Sequence, residues 1–122
     1  MFALTVIFEC KDADSAAQFD ARAAEMLESV ARSEPDTVVF AVHSVQDRPL
    51  ERFLYELYRD RAAFDAHDVA DYAVGFRAAV EPLLASRTVR FLGPSEGQAA
   101  VIHAPVNRAA FANSVASGEA ES

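Results

Sequence analysis

The chain has 122 residues, a formal net charge of −8 and a pI near 4.7. That length suits one domain around one core. The acidic balance excludes a nucleic-acid binder, which needs a basic face for phosphates, and a polybasic membrane anchor.

The chain opens on an alternating segment, Phe2 to Cys10. Phe2, Leu4, Val6, Phe8 and Cys10 fall on one face, while Ala3, Thr5, Ile7 and Glu9 fall on the other, which is the period of a strand. The segment is too short to span a bilayer and lacks a basic n-region and a small-residue cleavage site, so no membrane partner is expected. Cys10 is the only cysteine. It can make no internal disulfide or cysteine zinc cluster, and a reducing, cytoplasmic setting is the expectation.

A helix is expected from about Ser15, where Ser15 and Gln18 have capping-box spacing. Phe19, Ala23, Met26, Leu27 and Val30 form its apolar stripe. Ser33-Glu34-Pro35-Asp36 ends it, because the residue before a proline is pushed out of helical geometry. Thr37 to Val45 reads as a second strand, Gln46 to Leu50 as a polar turn, and Arg52 to Tyr58 as a third strand, together an antiparallel hairpin. Ala62 to His67 reads as a short helix. A longer one follows from Asp71 to Leu84, with Tyr72, Phe76, Val80 and Leu83 on one stripe and Pro82 near its end. Thr88 to Leu92 is the fourth strand, stopped by Gly93-Pro94. Residues 1–94 thus form one domain. Residues 95–122, small and polar without a sustained period, form a loosely ordered tail or an arm embracing a partner.

The fold class is α+β, a ferredoxin-like β-α-β-β-α-β antiparallel sheet. Two helices cover one face of such a sheet and leave the other to water or a partner. Strand 3 carries large apolar groups on both faces, with Phe53 opposite Leu54 and Leu57 opposite Tyr58. A homodimer that closes the second face is therefore expected.

The stretch from Tyr55 to His67, with Glu56-Leu57-Tyr58, Ala62-Ala63-Phe64 and His67, resembles the antibiotic biosynthesis monooxygenase (ABM) superfamily. There, strand 3 carries Glu-x-aromatic and a short helix ends on His. Leu4 to Glu9 fits the family's first strand. Ser33 to Asp36 fits its Glu-x-Gly-type turn, with Asp36 where glycine is common. The resemblance covers residues 2 to 93. It implies a dimeric α+β barrel, a pocket between sheet and helices, and a cofactor-independent oxidation of a quinol, anthrone or related polycyclic phenol. The substrate would be a small aromatic molecule, and molecular oxygen the co-substrate. The haem-degrading branch fits poorly: Cys10, His67 and Arg77 stand where that branch has Asn, Trp and His. A second His, usual in the sugar-isomerase branch, is missing from Asp68 to Tyr72.

Such chemistry calls for one or two polar groups on an apolar wall. His67 is the first candidate base or hydrogen-bond partner, since imidazole titrates near pH ~6.5; it could equally cap its helix. Tyr72 could donate to a substrate oxygen or be a core aromatic with its hydroxyl at the rim. His43, in mid-strand, is a third catalytic candidate or an interface histidine. Glu56 and Tyr58 share one face of strand 3; the carboxylate needs a partner if buried, from Arg87, Arg90 or a second subunit. Glu56, Tyr58, Phe76, Phe8 and Cys10 are the candidate substrate-binding residues, with Cys10 also readable as a small buried hydrophobe. Metal ligands and glycine-rich phosphate loops are not expected. Two further readings stay open: a polyketide cyclase or isomerase, and a non-catalytic small-molecule-binding domain of the same fold.

Overall fold

The computed structural model describes residues 1–94, so the tail expected over 95–122 lies outside the described residues. The order is β1 (Phe2–Cys10), α1 (Ala13–Ser33), β2 (Thr37–Val45), β3 (Arg48–Tyr58), α2 (Arg61–Val69), α3 (Asp71–Val80), a 3₁₀ turn (Glu81–Leu83) and β4 (Leu84–Phe91). The four strands make one antiparallel sheet in the order β2-β3-β1-β4, the ferredoxin-like arrangement.

β1 is an inner strand, its two edges paired with β3 and β4. Leu4, Val6, Phe8 and Cys10 are buried, whereas Ala3, Thr5 and Ile7 are only half-buried. The apolar stripe of α1 meets the buried face through Phe19, Ala23, Met26 and Val30. Phe8 and Phe19 stand 4.8 Å apart between ring centres, and Phe76 from α3 meets Phe19 edge-on at 5.7 Å. On the other face Thr5, Ile7, Phe53, Tyr55 and Leu57 are half-buried, an apolar surface without a covering layer among the described residues.

Local chemistry moves several boundaries from their expected places. Helix α1 starts at Ala13, not Ser15: Asp12 is the N-cap, its Oδ1 accepting from the Ser15 N–H at 2.8 Å. Ser15 is therefore the third residue of the helix, donating its N–H to the cap rather than serving as it. The hairpin turn is only Gln46-Asp47, with Asp47 at φ 64, a left-handed position that Asp tolerates. β3 therefore begins at Arg48, and Pro49 is accommodated beside the register shift between Ser44 and Val45. Helix α3 stops at Val80, because Pro82 lacks the N–H that another α turn requires. β4 starts four residues early, at Leu84: Leu84, Ser86 and Arg87 pair with Cys10, Glu9 and Phe8 around a bulge. Its exposed, mixed composition hides that pairing from a hydrophobicity reading.

One ion pair pins α1 to β3. Arg52 donates from Nε and Nη2 to the two carboxylate oxygens of Asp20, at 2.7 and 3.0 Å. Its Nη1 donates to the carbonyls of Pro49 and Glu51, both at 2.9 Å.

Candidate active site

The last turn of α1 delivers a carboxylate to the end of the sheet. The Glu34 N–H bonds the Val30 carbonyl at 3.0 Å, and Pro35 then forces the chain out of the helix into β2. Three elements aim donors at the Glu34 side chain. Thr37, opening β2, donates its hydroxyl to Oε1 at 2.6 Å. His67, in the last turn of α2, brings Nδ1 to 2.6 Å from Oε2. Tyr72, in the first turn of α3, donates its hydroxyl to the same Oε2.

An ionised carboxylate can only accept, so the proton between His67 and Glu34 belongs on Nδ1. Burial opposes ionisation of Glu34, but the bonds from His67, Thr37 and Tyr72 outweigh it and hold its carboxyl below the usual range. The Tyr72 hydroxyl is pushed up to about 12, by burial first and then by its bond to Glu34.

Behind His67 lies a second carboxylate with the opposite tendency. Glu56 and Tyr58 point to the helix side of β3, and the Tyr58 hydroxyl donates to Glu56 Oε1 at 2.5 Å. Burial raises the Glu56 carboxyl, only partly offset by the Tyr58 bond and the charge of His67. Burial likewise pushes the Tyr58 hydroxyl far up. The His67 ring lies 5.7 Å from Tyr58 and 5.2 Å from Phe40 between centres, and is 5% exposed. Two carboxylates with separated proton affinities thus flank one imidazole.

Of the expected residues, the structure brings His67 and Tyr72 onto one acceptor and sets Glu56 and Tyr58 beside them. Glu56 takes its partner from Tyr58; Arg90 pairs with Thr5 on the outer face, and Arg87 lies opposite Phe8 at the far end of the strand. His43 is not part of the group. It is exposed on the outer face, 6.4 Å from the Phe53 ring, because strand parity sends it opposite to Val42. Phe8 and Cys10 are not pocket walls but core, 4% and 1% exposed. Burial pushes the Cys10 thiol up. Phe76 bridges the core and an open cleft of about 290 Å³ between α1 and α3, which Tyr72 also lines. Arg77 ties α3 to α2 through Asp68, from Nη1 to Oδ1 at 3.1 Å. Glu34 and Thr37 were not among the expected site residues. The signal for Glu34 was present, an acidic residue immediately before the helix-ending proline.

The family model of the antibiotic biosynthesis monooxygenases matches residues 1–82. The chain belongs to this family. Its membership supports a monooxygenase-like function in general terms. A solved structure from Nitrosomonas europaea, assigned provisionally to the antibiotic biosynthesis monooxygenases, is 25% identical with a TM-score of 0.72, over 77% of this chain and 98% of that one. A Mycobacterium tuberculosis protein is also 25% identical with a TM-score of 0.72, over 80% and 98% of the two chains. A Caulobacter crescentus structure at 21% identity and TM-score 0.72, over 78% and 90%, shares the fold. No curated protein matches. Among the described residues no helix is long and apolar enough to cross a membrane, and no group of three or more His, Cys, Asp or Glu could hold a metal ion.

Proposed function

We propose that this ABM-family protein is a cofactor-independent monooxygenase for an electron-rich quinol, anthrone or related polycyclic phenol. The observation that carries the reading is the convergence of Tyr72 and His67 on Glu34 Oε2. Tyr72 is the member of the group that also lines an open cleft, so it is the one that meets substrate. Its hydrogen bond to Glu34 leaves its oxygen free to accept. A substrate hydroxyl or enol passes its proton to that oxygen as the Tyr72 proton slides to Glu34. His67 and Thr37 act through Glu34, holding it ionised and aimed, so His67 is a positioning residue here rather than the base itself.

A carboxylate held below its usual range is a weak base, so among such substrates the relay favours the more acidic hydroxyls and enols. The resulting anion supplies the electrons to molecular oxygen. One oxygen atom enters a ring carbon, two hydrogens leave the substrate, and the other oxygen atom departs as water. Positioned acid–base groups of this kind are worth about 10²–10⁴ in rate. The reading includes a homodimer closed over the outer sheet face, whose half-buried Phe53, Tyr55 and Leu57 favour a covering partner.

The same relay would serve a cyclase or isomerase acting on a polyketide-like intermediate, because nothing in Glu34, His67 and Tyr72 is specific to oxygen. Oxygen uptake with a panel of reduced quinones and anthrones, without added metal or flavin, separates the readings. Turnover that persists without oxygen favours the isomerase, and tight binding without turnover favours a non-catalytic binding domain.

A further inference from the structure

The relay through Tyr72 and Glu34 leaves one buried carboxyl of the group without a task. Glu56 is 5% exposed, and so is His67 beside it. The Tyr58 hydroxyl donates to Glu56 Oε1 at 2.5 Å, so a proton carried by Glu56 sits on Oε2. On the imidazole, the contact with Glu34 keeps a proton on Nδ1, so Nε2 presents its lone pair. Glu56 Oε2 and His67 Nε2 have no hydrogen-bond partner of their own among the described residues. No fully buried side-chain nitrogen or oxygen there goes unpartnered, so both atoms touch open space.

A carboxylic acid and an imidazole lone pair are a matched donor and acceptor. The titratable groups around them come from four elements: Glu34 just past α1, Tyr58 from β3, Asp68 from α2 and Tyr72 from α3. Of the charges acting on Glu56, that of His67 is the largest, ahead of Glu34 and Asp68. We propose that Glu56 and His67 share one exchangeable proton, on Glu56 Oε2 or on His67 Nε2, and that Glu56 is thereby a positioning residue that sets how readily Glu34 takes the Tyr72 proton. The proposal deepens the reading above and rests on it only for the effect at Tyr72.

The transfer balances within the group. The O–H bond of Glu56 breaks as an N–H bond forms at Nε2. Glu56 becomes a carboxylate, His67 becomes an imidazolium, and the net charge does not change. With the proton on Nε2, Glu34 faces a cation and is the weaker base. With it on Oε2, Glu34 faces a neutral ring and accepts more readily. Burial favours the neutral pair, because it opposes ionisation of Glu56. The carboxylate of Glu34 favours the imidazolium. The two effects oppose each other and draw the two placements together in energy.

The test is a pH titration of the full chain labelled with nitrogen-15 histidine, read by NMR at the ring nitrogens, beside infrared spectra of the carboxyl groups. At about pH 6, where an ordinary glutamate is ionised, the parent should show the carbonyl stretch of a protonated carboxylic acid that Glu56→Gln lacks. Its loss at higher pH should share one midpoint with the change at His67 Nε2, because coupled groups titrate as a pair. In Glu56→Gln, His67 should give up its Nε2 proton about one pH unit or more lower, having lost its carboxylate partner. The acid limb of kcat for oxygen uptake should move down with it, with KM within about twofold. Tyr58→Phe keeps the ring and removes the bond that lowers the Glu56 carboxyl, so the shared midpoint should rise in both probes. That variant keeps the test open if Glu56→Gln fails to fold. No carboxylic acid band at that pH, separate midpoints, a His67 titration unchanged in Glu56→Gln, or a midpoint that does not rise in Tyr58→Phe overturns the proposal. A shared midpoint in a parent that takes up no oxygen across the quinol and anthrone panel supports the shared proton and removes the oxygenase reading. Uptake whose pH profile ignores Glu56→Gln while the His67 midpoint moves keeps the oxygenase and overturns the hold of Glu56 on Glu34.

Discussion

His67 Nδ1 lies 2.6 Å from Glu34 Oε2, although the two residues are 33 positions apart in the chain. The contact joins the end of α1 to the end of α2 across the entry to β2. It ties the acid–base group directly to the packing of the fold.

Glu34→Gln should destabilise the protein at pH 7 by about 1–3 kcal/mol, since it weakens three hydrogen bonds to a charged, half-buried acceptor. The folded-state carboxyl is held below its usual range, so its contribution is complete above the ordinary glutamate value of about 4.3 and is lost as pH falls through the folded value. Urea unfolding of both proteins from pH 7 to pH 3 should therefore show the stability gap closing at the acid end. A gap that is independent of pH would contradict the assignment of Glu34 as the ionised acceptor.

Glu56→Gln should behave in the opposite way. Burial raises the Glu56 carboxyl, so ionising it costs stability progressively as pH rises from the ordinary value through the folded one. A glutamine keeps an acceptor for the Tyr58 hydroxyl and carries no charge. Thermal melts should show the variant gaining on the parent between pH 5 and pH 8, and a loss that grows with pH would be the wrong sign.

The contrast between these two carboxylates marks what was legible in the sequence. Strand β1 could be read from strict alternation and α1 from its stripe, because burial on one face leaves a period in the residues themselves. The same parity placed Glu56 and Tyr58 together, and it could have removed His43, which alternates with Val42. Glu34 was not legible as a site residue, because its role depends on partners at Thr37, His67 and Tyr72 from three later elements. The family turn into which it falls was visible, but the carboxylate looked like a helix end. The early start of β4 was hidden for a different reason: Ala85, Ser86 and Arg87 are exposed and leave no apolar signature.

Asp20→Ala should cost about 3 kcal/mol, because it leaves the buried Arg52 guanidinium without its two-point partner. Chemical denaturation at constant pH measures it directly. A loss below about 1 kcal/mol would mean that Pro49 and Glu51 carbonyls suffice to hold the arginine.

Phe53→Asp with Tyr55→Arg should convert a dimer into a monomer while the helical face stays intact. Light scattering at micromolar concentration reads the mass, and circular dichroism checks the fold. A parent protein that is monomeric under these conditions would remove the proposed pairing of outer sheet faces.

The most direct test of the relay is oxygen consumption by the parent, Tyr72→Phe and Glu34→Gln with a panel of quinols and anthrones, with no metal or flavin added. The account predicts substrate-dependent uptake by the parent, and a fall in kcat of about 100-fold in each variant with the fold retained. Absence of uptake across the panel, or a Tyr72→Phe variant as fast as the parent, would contradict it.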